Sequence, residues 1–279
     1  MIKFNLGDGD EPVLKITQSS VWPMVYLDHC AWRKLSDDSD LRTRLTAAIR
    51  NKSGTLALSW VNIAEFSRVL DAGQIQRAER LLDDVLPNVF FIEINPFTVS
   101  KREAEGHPMP HDDRVFLENF VKTPRPGMRL ISAEGYFSIL QDTDVPNSLL
   151  DLASSTARSV QVLADSYATD PNFKNQVNRK YRKKPGVKLV LQELIRTYLI
   201  DGKSRFDSHD AIDLMHASVP IAYCDFVVLD GAWKHRANQI RSRFEQGTGS
   251  LPSAEVFSAN DAGLNQFLAA LSTAKPPAE

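Results

Sequence analysis

Short apolar runs alternate with amphipathic segments in the first third of the chain and again in its last third. This alternation limits the fold more than any other feature. The runs are VYL at 25–27, TLALS at 55–59, NVFFIEI at 88–94, FVVL at 226–229 and AEVFS at 254–258. Rich in β-branched and aromatic residues, most of them lack a polar alternation, as strands covered on both faces do. Amphipathic segments lie between them. LRTRLTAAIR (41–50) follows a cap at Ser39 or Asp40, and WVNIAEFSRVLDAG (60–73) follows Ser59 and is predicted to stop at Gly73. QIQRAERLLDDVL (74–86), DSHDAIDLMHASVPIAY (207–223) and AWKHRANQIRSRF (232–244) complete the set. Strands that take turns with helices predict a parallel sheet flanked by helices, the α/β class.

Between the two alternating stretches the texture changes. Pro96, Pro108, Pro110, Pro124, Pro126 and Pro146 punctuate it, and helical runs such as SLLDLASSTARSVQVLADSYA (148–168) and GVKLVLQELIRTYLI (186–200) replace the strands. The expected organisation is a discontinuous α/β core over residues 1–95 and 206–260, a helical insertion over 96–205, and a C-terminal helix and disordered tail over 261–279. At 279 residues, 43% hydrophobic and 24% charged, the chain can bury a sizeable core. A net charge of −2 excludes a uniformly basic surface, so nucleic acid would have to be held by local patches. Two cysteines, Cys30 and Cys224, both beside apolar runs, fit a reducing compartment better than a disulfide framework. With no basic-then-apolar leader in MIKFNLGDGDEPVLKI and no apolar run long enough to cross a bilayer, the expectation is a soluble cytoplasmic protein.

Two of the apolar runs stop on a carboxylate, Asp28 and Asp230. In parallel α/β sheets ligands gather outside the carboxyl ends of the strands, where both acids would sit. Glu65 lies in the helix after TLALS, between Ala64 and Phe66. Asp213 lies in the helix before FVVL, with Asp210 and His216 one turn to either side. Acids make up 35 of the 279 residues, so one strand ending on an acid by chance is unremarkable. Two such strands, with further acids placed to join them, ask for a chemical reason.

Three blocks carry a family resemblance: VYLDHCAW (25–32), LALSWVNIAEFSRVL (56–70) and DLMHASVPIAYCDFVVLD (213–230). In that order they resemble the motif blocks of PIN domains, metal-dependent nucleases with a doubly wound parallel sheet. The Tyr-Leu-Asp with Trp32 four residues on, and Asp-x-x-His-Ala paired with Tyr-Cys-Asp, look most like a bacterial PIN-like subgroup. The match spans roughly residues 21–95 and 207–258 and leaves out the insertion. It implies Asp28, Glu65, Asp213 and Asp230 as metal-holding, catalytic acids, with Asp210 as the rival to Asp213 and His216 as a neighbour behind them. It implies Mg²⁺ or Mn²⁺, an RNA substrate cleaved at phosphodiester bonds, and a toxin or defence role with an antitoxin or other regulatory partner. A homodimer is among the arrangements such domains adopt. Departures are His29 and Cys30, where a small hydroxyl or amide residue is common, and Val228, where Thr or Ser is common. They keep open a catalytically silent module that binds RNA or protein.

The chemistry agrees with that implication. Two unit charges about 5 Å apart repel by about 3 kcal/mol at an effective dielectric near 20. Four gathered carboxylates therefore need shared protons or a divalent cation, and oxygen donors favour Mg²⁺ or Mn²⁺. For the substrate backbone the candidates are Arg33 and Lys34 after the first motif, and the basic run KNQVNRKYRKKPGVK, with Arg179, Lys180, Arg182, Lys183, Lys184 and a stacking Tyr181. HPMPHDD (107–113) brings two histidines and two aspartates close together, but its prolines leave no regular ligand face, and Asp112 reads as the cap of a following helix.

Overall fold

A computed structural model describes residues 1–6, 14–67, 69, 71–107, 109–113, 145–178, 186–202, 205–248 and 254–276. A β-hairpin that the sequence pattern did not announce comes first, β1 (Ile2–Leu6) against antiparallel β2 (Leu14–Gln18). The main sheet follows, built from β3 (Met24–Leu27), β4 (Thr55–Leu58), β5 (Val89–Phe91), β6 (Phe226–Leu229) and β7 (Glu255–Ser258). All four pairings are parallel, in the order β5-β4-β3-β6-β7. Every residue of β3, β4, β5 and β6 is buried, which is why these runs carry no polar alternation. β7 lies at an edge and starts with the exposed Glu255.

The chain builds outward from β3 to β4 and β5, then returns to β3's other side to lay down β6 and β7. The strand order thus reverses between β3 and β6, where Leu27 lies opposite Val228 and the Asp28 amide donates to the Val228 carbonyl at 3.0 Å. A crevice at such a reversal is the usual ligand position in an open parallel sheet.

Helices link the strands. After β3 come α1 (His29–Asp37) and α2 (Ser39–Asn51); after β4 come α3 (Trp60–Ser67) and α4 (Ala72–Val85). Two expectations are corrected here. Asp38 rather than Ser39 or Asp40 caps α2, its carboxylate accepting from the Asp40 and Leu41 amides. Gly73 does not end a helix: it lies in the first turn of α4, where its amide donates to the capping carboxylate of Asp71 at 2.9 Å. A glycine close behind an Asx cap opens a helix as readily as it closes one.

Beyond β5 lie α5 (Pro96–Ala104), α6 (Val145–Thr169), α7 (Pro171–Val177), α8 (Val187–Asp201) and α9 (Ser208–Tyr223); α10 (Gly231–Thr248) follows β6 and α11 (Asp261–Thr273) follows β7. Asp112 bridges back to Ile92 in antiparallel fashion, and a helix after it would lie outside the described residues. Of STAKPPAE (272–279), expected to be a disordered tail, Ser272 and Thr273 instead close α11, and residues 277–279 lie outside the described ones. Leu149, Val160, Val187 and Leu194 of α6 and α8 belong to the same buried cluster as the sheet, so these helices share the core. No described helix is long and apolar enough to cross a membrane.

Candidate functional site

Asp28 and Asp230 stand at the carboxyl ends of the two strands that flank the reversal, and both act as helix caps. Asp28 Oδ1 accepts from the Ala31 amide at 2.7 Å and so opens α1; Asp230 Oδ1 accepts from the Trp233 amide at 2.8 Å at the start of α10. A strand ending on an acid is therefore explained in part by capping. Capping also brings two helix N-termini, with their positive partial charge, to the same edge of the sheet.

Asp28 is only 9% exposed, and burial pushes its carboxyl up to about 6, with Asp230 adding to the rise and His216 opposing it. The carboxyl of Asp213, on α9, is pushed up to about 6 as well, first by burial and then by Asp230 and Glu65, again against His216. Its Oδ2 accepts from the indole Nε1 of Trp233 at 3.1 Å. Glu65, on α3, meets His216 with Oε2 at 3.0 Å from Nε2. His216 is nearly fully buried, which alone would make it harder to protonate. Glu65, Asp28 and Asp213 outweigh that and raise its pKa. Three acids from three distant stretches thus act on one imidazole.

Asp210 has a different place. It is the third residue of α9, and its Oδ2 accepts from the Asp207 amide at 3.2 Å while Asp207 caps the helix in return. This reciprocal capping box occupies the carboxylate that rivalled Asp213. Of the two, Asp213 is the one coupled to Asp230, Glu65 and His216.

Around the acids lie groups that the motif reading left out. Cys30 Sγ is 3.5 Å from Asp28 Oδ2, and burial together with Asp28, Asp230 and Asp213 drives its thiol strongly toward the protonated form. His29 packs against Phe66 in a tilted arrangement, with ring centres 4.5 Å apart. Tyr26, fully buried in β3, places its hydroxyl 2.5 Å from His216 Nδ1 and 3.3 Å from Ser59 Oγ. Pattern reading assigns Tyr26 to a buried strand and Ser59 to a cap, and both assignments hold. Nothing in the spacing says that a strand hydroxyl reaches a helix 190 residues on.

Arg33 pairs loosely with Asp37 at 3.9 Å, and Lys34 with Asp261 at 3.3 Å, both largely exposed. Arg179, Lys180, Tyr181, Arg182, Lys183 and Lys184 lie outside the described residues. Both cysteines carry free thiols.

The donor set fits a hard divalent cation in chemistry and charge: all four acids offer carboxylate oxygens, and two of them already bind protons unusually tightly. In this arrangement each carboxylate also turns an oxygen toward a protein partner, and among the described residues no three His, Cys, Asp or Glu side chains form a ready metal-ligating group. No protein-family model, no curated protein and no solved structure matches the chain.

Proposed function

We propose that the chain is a divalent-metal-dependent endoribonuclease with a PIN-like, doubly wound core, hydrolysing phosphodiester bonds. The observation that carries this reading is geometric: Asp28 and Asp230 end the two strands that flank the reversal of strand order, Glu65 meets His216, and Asp213 meets Trp233, whose amide Asp230 caps. Asp28, Glu65, Asp213 and Asp230 would hold Mg²⁺ or Mn²⁺. When bound, such a cation activates water and stabilises charge on phosphoryl oxygens. The chain's own groups do the rest. Asp28 and Asp230 stay in place because their caps fix their rotamers, and Trp233 fixes Asp213 by its indole N–H. The N-termini of α1 and α10 draw a phosphate toward the same edge. Arg33, Lys34 and the basic segment that includes Arg179, Lys180, Tyr181, Arg182, Lys183 and Lys184 meet the RNA backbone and bases. An antitoxin-like or other regulatory protein is the partner such an activity calls for.

One observation favours a second reading, a catalytically silent PIN-like module that binds RNA or protein: the imidazole of His216 already meets Glu65 at 3.0 Å, and no ready ligand group exists among the described residues. RNA cleavage separates the two. The nuclease cuts RNA with Mn²⁺, stops with EDTA, and loses about 100-fold or more in rate in Asp28→Asn, since a lost metal-holding group costs no less than the roughly 10–100-fold of a lost partner behind one. Equal cleavage by wild type and Asp28→Asn assigns the cutting to a contaminant or another site.

A further inference from the structure

We infer that Tyr26, backed by Ser59 and Asn62, acts through His216 as a positioning residue that holds Glu65 in a single orientation as a hydrogen-bond acceptor. The inference rests on the reading of Glu65 as a metal-holding carboxylate and assigns residues that no motif block singles out.

The argument is a count of protons. Asn62 Nδ2 donates to the Leu27 carbonyl at 3.1 Å, and the Ser59 amide, which can only donate, faces the other end of the Asn62 side chain at 3.0 Å. That end is therefore the oxygen. Ser59 Oγ gives its one proton to the same oxygen at 2.8 Å and is left as an acceptor, for the Asn62 amide at 3.2 Å and for the Tyr26 hydroxyl at 3.3 Å. Tyr26 also has one proton and two neighbours, Ser59 Oγ and His216 Nδ1.

If Tyr26 donates to Nδ1, the imidazole carries its proton on Nε2 and donates it to Glu65. If Tyr26 donates to Ser59, its oxygen must accept from Nδ1–H, and Nε2, facing a carboxylate, again bears a proton. Both orders end in the same way: Nε2–H donates to Glu65 Oε2, at 3.0 Å. Tyr26, Ser59 and Asn62 are fully buried and His216 is 2% exposed, so water has no ready access to replace a missing member. The series begins at the Leu27 carbonyl, one residue before Asp28, and ends on Glu65, whose side chain is 24% exposed. It crosses β3, α3 and α9, and so ties the carboxylate of Glu65 to the backbone that positions Asp28 and to the helix that carries Asp213. A network serving stability alone has no need to finish on a partly exposed acid.

The test is Tyr26→Phe, which removes one oxygen and keeps the ring, with Ser59→Ala as a second variant that removes the Ser59 hydroxyl and leaves that of Tyr26 in place. Three quantities are read against wild type: the ¹⁵N shifts of the His216 ring in the metal-free protein, the Mn²⁺ dissociation constant by calorimetry, and kcat and KM for RNA cleavage. Tyr26→Phe is expected to move the His216 Nδ1 resonance and to weaken Mn²⁺ binding by about 10-fold. It lowers kcat at fixed Mn²⁺ and leaves KM for RNA unchanged, and Ser59→Ala gives the same changes on a smaller scale. A wild type that binds Mn²⁺ and cuts RNA, beside folded variants with the same affinity, kcat and ring shifts, overturns the positioning role and leaves the nuclease reading standing. A wild type that neither binds Mn²⁺ nor cuts RNA overturns both.

Discussion

Asp28 shows how one carboxylate serves folding and chemistry with opposite demands. Capping α1 favours its charged form, while burial at the end of β3 opposes charge more strongly, and the net result is a carboxyl pushed up to about 6. Asp213 reaches about 6 for related reasons. In the metal-free chain both groups bind protons more tightly folded than unfolded. Between about pH 4 and 6 the folded state therefore holds more protons, and stability falls as pH rises through that window. The raised His216 pKa acts in the same direction. Metal-free protein should be more stable at pH 5.5 than at pH 7.5, with Asp28 contributing about 1 kcal/mol of that difference, the part of its linkage that lies above pH 5.5. Urea unfolding at the two pH values measures it. Asp28→Asn should flatten the slope and unfold at pH 7.5 no more easily than wild type; a steeper slope in the variant contradicts the assignment. Asp28, Glu65, Asp213 and Asp230 were all legible as candidates from their places beside apolar runs. The preference for Asp213 over Asp210 followed from its offset to His216 and to the next strand; what the sequence did not give is the partner that engages Asp210, the capping box with Asp207.

Helices and strands here were readable wherever burial was two-sided or amphipathic, and unreadable where a cap decided the boundary. The β3, β4 and β6 runs appear where the pattern put them. α1 was missed, since its opening residue follows the strand without a break and Asp28 does two jobs at once. Gly73 misled because a glycine that ends one helix and a glycine that follows an Asp cap look alike in a linear pattern. Gly263, in the first turn of α11, is a glycine of a third kind. A Cβ there would run into the carbonyl oxygen and Oγ of Ser258, the last residue of β7, so the helix packs on the strand end at backbone distance. Gly263→Ala should destabilise by about 1–3 kcal/mol, the cost of forcing an extra methyl into a filled space. A chemical denaturation midpoint equal to wild type would mean that β7 can give way.

The region between the two alternating stretches reads in sequence as a separable insertion, yet its described helices pack into the shared core. Glu193 of α8 is fully buried, with Oε2 2.8 Å from Arg243 Nε of α10, and burial raises its pKa despite Arg243 and Arg196. All four tryptophans, Trp22, Trp32, Trp60 and Trp233, lie outside residues 96–205, so their fluorescence follows the sheet while circular dichroism follows all the helices. The two signals should trace one transition, and Glu193→Ala should shift both together by about 3–5 kcal/mol, because it strips the carboxylate from a desolvated ion pair. Separate transitions would make the insertion an independent unit.

Local rules sufficed for the class of fold, the buried strands and the set of acids at their ends, because burial and capping act on neighbours along the chain and leave a periodic trace. They could not say that Glu65 and Tyr26 both reach His216, that Trp233 binds Asp213, or that the inserted helices join the core. Those are contacts between residues far apart in sequence, set by strand order and helix packing, and no spacing of residue types encodes them.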